Sequence, residues 1–280
     1  MIVDLAECDA LVWTADPSTF PAELPERVRW VQLPSAGIER WFELGILTPD
    51  RQWTSAAGAY GQTVAEHALA LLLAGVRGLG LAARQQGWRR QELLAATHTL
   101  RGARVAIVGA GGIGRALVPM LAALGAEAIA VNRSGRAVDG ASETVAVGDL
   151  DGVLPRTDHI VVAAPATPET RHLIGAVQLG ALRPTSWVVN VARGELVDTD
   201  ALVRALDAGT IGGAALDVTD PEPLPDGHPL WTHPAVLITP HSGNPVPLLR
   251  QAFAVRVADN ITRWLAGQDL LGRVDVAAGY

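Results

Sequence analysis

Three short segments in the second half of the chain carry ionisable side chains at positions suited to chemistry. They are Val189-Asn-Val-Ala-Arg193-Gly-Glu-Leu-Val-Asp198, Ala215-Leu-Asp217-Val-Thr-Asp-Pro-Glu222 and Ile238-Thr-Pro-His241-Ser-Gly243. Each begins in an apolar stretch that reads as a strand, so each sets its charged group just past a strand's carboxyl end. Open α/β sheets build their ligand crevices there. An arginine can clamp a carboxylate in a bidentate fork. A histidine can give or take a proton near neutral pH, and a carboxylate beside it favours the imidazolium and fixes its orientation. Plainer readings stand beside these: Arg193 as an exposed helix-start residue, and Glu222 as a solvated turn charge. Of seven histidines, only His241 follows a strand end. His67 reads as a packed residue of a long helix, His98 and His172 as loop or helix-end residues, and His159 as the residue before a strand. His228 and His233 sit in a proline-rich loop. No His/Cys/Asp cluster has metal-ligand spacing.

These groups need a platform, and Val105-Ala-Ile-Val-Gly109-Ala-Gly111-Gly112-Ile113-Gly114 supplies its signature. An apolar strand, Ala103–Val108, runs into a glycine triplet and then a segment of helical periodicity, Ile113–Leu124. Gly109 permits a tight turn, Gly111 lets the backbone approach a pyrophosphate, and Gly114 lets the helix pack closely on the strand. The helix beginning near Gly112 aims free N–H groups and its positive dipole end at the phosphates. A purely structural turn is the alternative.

The next strand bears on which dinucleotide is bound. It ends at Asn132-Arg133-Ser134-Gly135-Arg136, with Asn132 21 residues past Gly111. An Asp or Glu is expected there to hold the ribose 2′-OH of NAD, and it would repel a 2′-phosphate. A neutral Asn, a Ser and two guanidinium groups suit a phosphate monoester instead. The expectation is NADP(H) preferred with NAD(H) possible, against the alternative of a solvated basic turn.

The chain has 280 residues, with 49% hydrophobic side chains and a net charge of −7. Such a composition fits a globular protein of one large or two medium domains. No basic tract exceeds Arg89-Arg90, which argues against nucleic-acid binding by phosphate neutralisation. The single cysteine, Cys8, rules out an internal disulfide framework and fits a reducing cytosol. The N-terminus lacks a basic n-region, so a signal peptide is not expected. The longest apolar run, Ala68–Val76, is far short of the roughly 20 residues needed to span a bilayer.

Strands are expected at Ala10–Thr14, Val28–Leu33 and Gln52–Ala56, followed by one long helix from about Gln62 to Leu81. Six more follow: Arg104–Val108, Ala126–Val131, His159–Ala164, Trp187–Val191, Gly213–Leu216 and Val236–Thr239. Alternating apolar strands and helices imply a doubly wound parallel sheet, a Rossmann dinucleotide-binding domain, beside a smaller α/β unit. A late helix, Leu248–Leu265, is expected to return to that first unit. The domains would then be 1–60 with 243–280, and 61–242.

The charged segments and the glycine motif together resemble the D-isomer-specific 2-hydroxyacid dehydrogenase family, of the glyoxylate/hydroxypyruvate reductase type. Ser35-Ala36-Gly37-Ile38-Glu39, Val64-Ala-Glu66-His67 and Ala164-Pro165-Ala-Thr-Pro-Glu-Thr170-Arg-His-Leu-Ile add to the resemblance, which runs from about Val28 to the C-terminus. It implies that Arg193 binds the substrate carboxylate and keto oxygen, that His241 protonates that oxygen, and that Glu222 is its hydrogen-bonded partner. Asp217 would bind the nicotinamide carboxamide. Ala164, Pro165, Thr170, Val191, Ala192 and His241 would add cofactor contacts. The backbone of Ala36, Gly37 and Ile38 would hold the carboxylate from the smaller, flavodoxin-like domain. A homodimer through the nucleotide domain is implied as well.

Two departures stand out. Asn132 replaces the acidic ribose ligand, and only nine residues precede Ala10 where family members carry a further strand–helix–strand portion. The substrate domain is either pared down or lacks an authentic N-terminus. The expected activity is a cytosolic 2-oxoacid reductase, reversible as a D-2-hydroxyacid dehydrogenase. The alternative is an NAD(P)(H)-binding regulatory protein of the same fold.

Overall fold

A computed structural model describes residues 4–277 and 279. The chain divides into two compact units, one built from the chain up to Tyr60 and from Pro245 onward, the other from Gly61–Asn244.

The first unit holds a three-stranded parallel sheet, β1 (Ala10–Val12), β2 (Trp30–Gln32) and β3 (Gln52–Thr54), in the order β1-β2-β3. A short helix, α1 (Glu39–Glu43), follows β2. Trp41 and Trp53 are core residues here, packed with Val28, Val31 and Leu33. Tyr60 is buried too, and its hydroxyl donates to the Pro34 carbonyl at 2.6 Å.

The second unit begins with α2 (Gly61–Val76), α3 (Leu79–Arg84) and α4 (Arg90–Ala96). The single helix expected over Gln62–Leu81 is broken, because Gly78 adopts a left-handed φ of +62° that ends the α2 ladder and caps α3. Then come β4 (Arg104–Val108), α5 (Gly112–Ala123), β5 (Glu127–Asn132), β6 (Glu143–Ala146), α6 (Leu150–Val153) and β7 (His159–Val162). They are followed by α7 (Ala176–Gly180), β8 (Trp187–Asn190), α8 (Thr199–Asp207), β9 (Gly213–Leu216), α9 (Pro229–Thr232) and β10 (Val236–Ile238). The sheet has seven strands rather than six, all parallel, in the order β10-β9-β8-β7-β4-β5-β6. The extra strand, β6, lies at the edge, where half-buried Glu143-Thr-Val-Ala146 needs no apolar run.

Period-two alternation sorts the strand side chains between two cores. Val105, Ile107, Val161, Val189 and Ala215 pack with α2 and α5 on one face. Ala106, Val108, Ile160, Val188 and Leu216 pack with α6, α7, α8 and α9 on the other. The strand order reverses between β4 and β7, which makes the carboxyl edge there the expected ligand crevice.

The chain then forms α10 (Val246–Leu265) within the first unit. Asn260 on α10 donates to Gln32 Oε1 at 2.8 Å, and Arg256 donates to the Ser55 and Ala57 carbonyls. No helix among the described residues is long and apolar enough to cross a membrane.

Candidate active site

At the end of β4 the chain turns through Gly109, whose φ is +105°; a Cβ there would run into the Ala163–Ala164 backbone. Gly111 is the N-cap of α5 and makes no side-chain cap, so the first-turn N–H groups are left for a ligand. A Cβ at Gly111 would meet nothing within 4 Å, so open space lies beside that helix terminus. Gly114 brings α5 against β4, since a Cβ there would sit 2.5 Å from the Gly109 carbonyl oxygen. An uncapped twelve-residue helix facing open space fits a dinucleotide pyrophosphate.

Asn132 closes β5 with an internal turn. Its Nδ2 donates to the Arg136 carbonyl at 2.8 Å, and its Oδ1 accepts from the Ser134 N–H at 3.1 Å. Its side chain therefore shapes the loop, while Arg133, Ser134 and Arg136 stand on it, all three exposed. Thr170 shapes its own loop in the same way, since its hydroxyl accepts from the Thr167 N–H and donates to the Pro165 carbonyl, both at 2.8 Å.

Arg193 lies on the turn after β8. Asn190 shapes this turn, with Nδ2 donating to the Arg193 carbonyl at 2.8 Å and Oδ1 accepting from the Ala192 N–H at 3.0 Å. Gly194 lets the turn press on the Thr219–Asp220 backbone, where any Cβ would clash. The Arg193 turn and the loop carrying Glu222 are thereby neighbours.

Past β10, His241 Nδ1 lies 2.6 Å from Glu222 Oε1. With Glu222 ionised, Nδ1 carries the hydrogen of that bond and Nε2 is left for proton transfer. His241 has a φ of +50°, the left-handed region, which costs a non-glycine residue about 1–2 kcal/mol. The surroundings hold it there: the His241 N–H donates to the Asp217 carbonyl at 2.8 Å and to the Thr239 carbonyl at 3.0 Å. The Asp217 carboxylate, with its side chain only 3% exposed, accepts from the Ser242 N–H on Oδ1 and the Gly243 N–H on Oδ2. Thr239 Oγ1 donates to Asp217 Oδ1 at 2.6 Å, and His67 Nε2 lies 3.2 Å from the same oxygen. Among these contacts Oδ2 holds one donor, so it keeps acceptor capacity for a further N–H.

The second unit thus gathers Gly109, Asn132, Ala164, Arg193, Asp217 and His241 along one sheet edge, because all seven strands run parallel. Ala36, Gly37 and Ile38 belong to the first unit, between β2 and α1. Asn190, Thr239 and His67 lie inside segments that carry the resemblance, but the sequence assigns none of them a role of its own. Asn and Thr beside a strand end are common, and His67 reads equally well as helix packing. No group of three or more His, Cys, Asp or Glu among the described residues could hold a metal ion.

Fold and edge together define a doubly wound dinucleotide-binding protein with a histidine–carboxylate pair at its ligand edge. Residues 69–243 match the model of the D-isomer specific 2-hydroxyacid dehydrogenase NAD-binding domain, and the chain belongs to that family. It is 41% identical, over its whole length and 92% of the relative, to an uncharacterised protein in the proB 3′ region of Corynebacterium melassecola. It is 33% identical to glyoxylate/hydroxypyruvate reductase A of Serratia proteamaculans, over 78% of this chain and 69% of the relative. A family member from Xanthobacter autotrophicus Py2, solved with NADPH and MES, superposes with a TM-score of 0.84 at 32% identity, covering 100% of this chain and 87% of that one. The NADPH-dependent glyoxylate/hydroxypyruvate reductase of Sinorhizobium meliloti, solved with NADP and sulfate, gives 0.80 at 28% identity, covering 98% and 88%.

Proposed function

We propose that this oxidoreductase reduces small 2-oxoacids with NADPH, accepts NADH less well, and runs in reverse as a D-2-hydroxyacid dehydrogenase. The observation that carries the reading is the 2.6 Å His241–Glu222 contact, on the same sheet edge as the Arg193 turn and the uncapped start of α5. NADP-bound relatives of the same fold support the cofactor choice.

The backbone of Gly109, Gly111, Gly112, Ile113 and Gly114 would hold the pyrophosphate, and the Arg133, Ser134 and Arg136 turn would take the 2′-phosphate. Ala164, Pro165, Val191, Ala192 and the open acceptor on Asp217 would line the nicotinamide. When bound, the nicotinamide supplies the hydride that reduces the keto carbon. Arg193 binds the substrate carboxylate and polarises the keto oxygen. His241 Nε2 delivers the proton that completes the hydroxyl, and in oxidation it takes that proton back. Glu222 keeps the imidazole in the required orientation and balances its charge.

NADPH oxidation is measured against glyoxylate, hydroxypyruvate and phenylpyruvate. Turnover with one or more is expected. No turnover with any of them, with NADPH still bound, would leave the regulatory-protein reading in its place.

Cytoplasmic location and a homodimer complete the reading. Trp88, between α3 and α4, is 93% exposed, with exposed Leu79 and Leu94 on the same stretch of the nucleotide-binding unit. An exposed tryptophan flanked by exposed leucines suits an interface with a second copy. Light scattering on Trp88→Ser should show a shift from dimer towards monomer.

A further inference from the structure

The turn that presents His241 is strained, and its restraint is concentrated on one side chain. Asp217 receives the Ser242 N–H at 2.8 Å, the Gly243 N–H at 3.0 Å and the Thr239 hydroxyl at 2.6 Å, while its own carbonyl takes the His241 N–H. A Cβ at Gly243 would sit 2.9 Å from Asp217 Oδ2, so the turn wraps tightly on this carboxylate. Whatever fixes the Asp217 rotamer therefore fixes the backbone from Thr239 to Gly243.

His67 is placed to do that. It projects from α2, whose first residue, Gly61, is packed so closely on Gly112 that a Cβ would lie 2.5 Å from the Gly112 carbonyl oxygen. His67 Nε2 lies 3.2 Å from Asp217 Oδ1 and 3.0 Å from Thr239 Oγ1. The Thr239 hydroxyl proton is committed to Asp217 at 2.6 Å, so the Thr239 oxygen faces His67 as an acceptor. Nε2 must then carry a hydrogen, shared between Thr239 and Asp217. An unprotonated Nε2 would set its lone pair against the carboxylate. The imidazole is half-buried, with 21% of its side chain exposed, so water competes little for these bonds.

We propose that His67 is a positioning residue for the reaction: its Nε2–H, donated to Asp217 and Thr239, ties the rigid helix α2 to the turn that aims His241. The catalytic consequence rests on the proposed function, and the structural one on the geometry alone. His67 needs no contact with substrate or cofactor for this. The bond acts by holding Asp217, and through Asp217 the left-handed His241 backbone.

The test compares full-length wild type, His67→Phe, His67→Ala and His67→Gln. Phe and Ala remove the donor, and Phe keeps most of the volume, so one of them serves if the other fails to fold. Gln restores an N–H donor without an imidazole. Amide exchange is followed by NMR at Ser242 and Gly243, with Val162 in the sheet centre as control. In the donor-less variants the two turn amides should exchange about tenfold faster or more, with Val162 unchanged. Their kcat with the best 2-oxoacid should fall about tenfold while the NADPH Kd moves less than about threefold. His67→Gln should recover both readouts to within about threefold of wild type. Unchanged exchange in a folded donor-less variant would overturn the proposal. So would faster exchange with unchanged kcat, a loss carried mainly by the NADPH Kd, or failure of Gln to restore. If wild type itself turns over no 2-oxoacid, the proposed function fails, and the exchange comparison still decides whether His67 braces the turn.

Discussion

Asn190 and Arg193 are tied across a single turn, the Asn190 amide bonding the Arg193 carbonyl at 2.8 Å while its oxygen holds the Ala192 N–H at 3.0 Å. The last residue of β8 thus sets the backbone that carries Arg193, whose guanidinium donates to the Ala192 carbonyl at 2.8 Å. Asn190 is almost wholly buried, so water cannot replace these bonds cheaply. Asn190→Asp keeps the acceptor for Ala192 but loses the donor to Arg193. It should lower kcat/KM for the 2-oxoacid about tenfold or more, chiefly through KM. Steady-state kinetics on protein with a wild-type circular dichroism spectrum checks this; an unchanged kcat/KM would mean that the turn is held by other contacts.

In the proposed mechanism His241 transfers the proton and Glu222 orients the imidazole, so the two roles can be tested apart. His241→Ala should cost about 10²–10⁴-fold in turnover in both directions, the usual contribution of a positioned acid–base group. Glu222→Gln keeps a hydrogen-bonding oxygen at 222 but loses the charge opposite the imidazolium, and should cost about 10–100-fold in reduction. NADPH affinity should stay near wild type in Glu222→Gln. Near-normal turnover in His241→Ala would move the acid role to another group.

The proposed 2′-phosphate contacts are charges near the surface, so their effect should be moderate and salt-sensitive. Replacing both Arg133 and Arg136 by Ala should raise the KM for NADPH about tenfold at low salt and that for NADH less than about twofold. The difference should narrow as ionic strength rises. A wild-type enzyme that prefers NADH in the same assay would reject the 2′-phosphate assignment.

His159, at the start of β7, makes acid stability testable. Burial pushes its imidazole down from 6.5 to about 4, against an opposing pull from Asp158 and with His98 adding slightly to the fall. The folded state holds it neutral, with Nδ1 accepting the Trp187 N–H at 3.2 Å. Below about pH 6.5 the unfolded chain takes up a proton that the folded protein refuses until about pH 4. Stability from this group is therefore complete above 6.5 and lost as pH falls to 4, by about 3 kcal/mol in all. His159→Asn retains an acceptor and should flatten denaturant-melt stability across that window. An identical slope in variant and wild type would rule the group out.

Much of this protein is legible along the chain because it depends on local pattern. The apolar runs at Arg104–Val108 and Gly213–Leu216 read as strands to the residue, since fully buried parallel strands need uninterrupted small and branched side chains. The glycine turn is equally visible, because only glycine adopts the +105° φ of Gly109 against a neighbouring backbone. Arg193, Glu222 and His241 stand out because charges just past strand ends are where such sheets bind ligands. β6 escapes such a reading because an edge strand, half-solvated, carries no apolar signature. The bond from His67 to Asp217, 150 residues apart in sequence, leaves no trace in spacing. Nor does the left-handed backbone of His241, which is not a glycine and is held there by the carbonyls of Asp217 and Thr239 and by the Asp217 carboxylate on the next N–H. Local sequence determines which segments become strands and turns. Only packing the strands side by side decides which carboxylate braces which histidine, because those bonds form between residues that the chain itself keeps far apart.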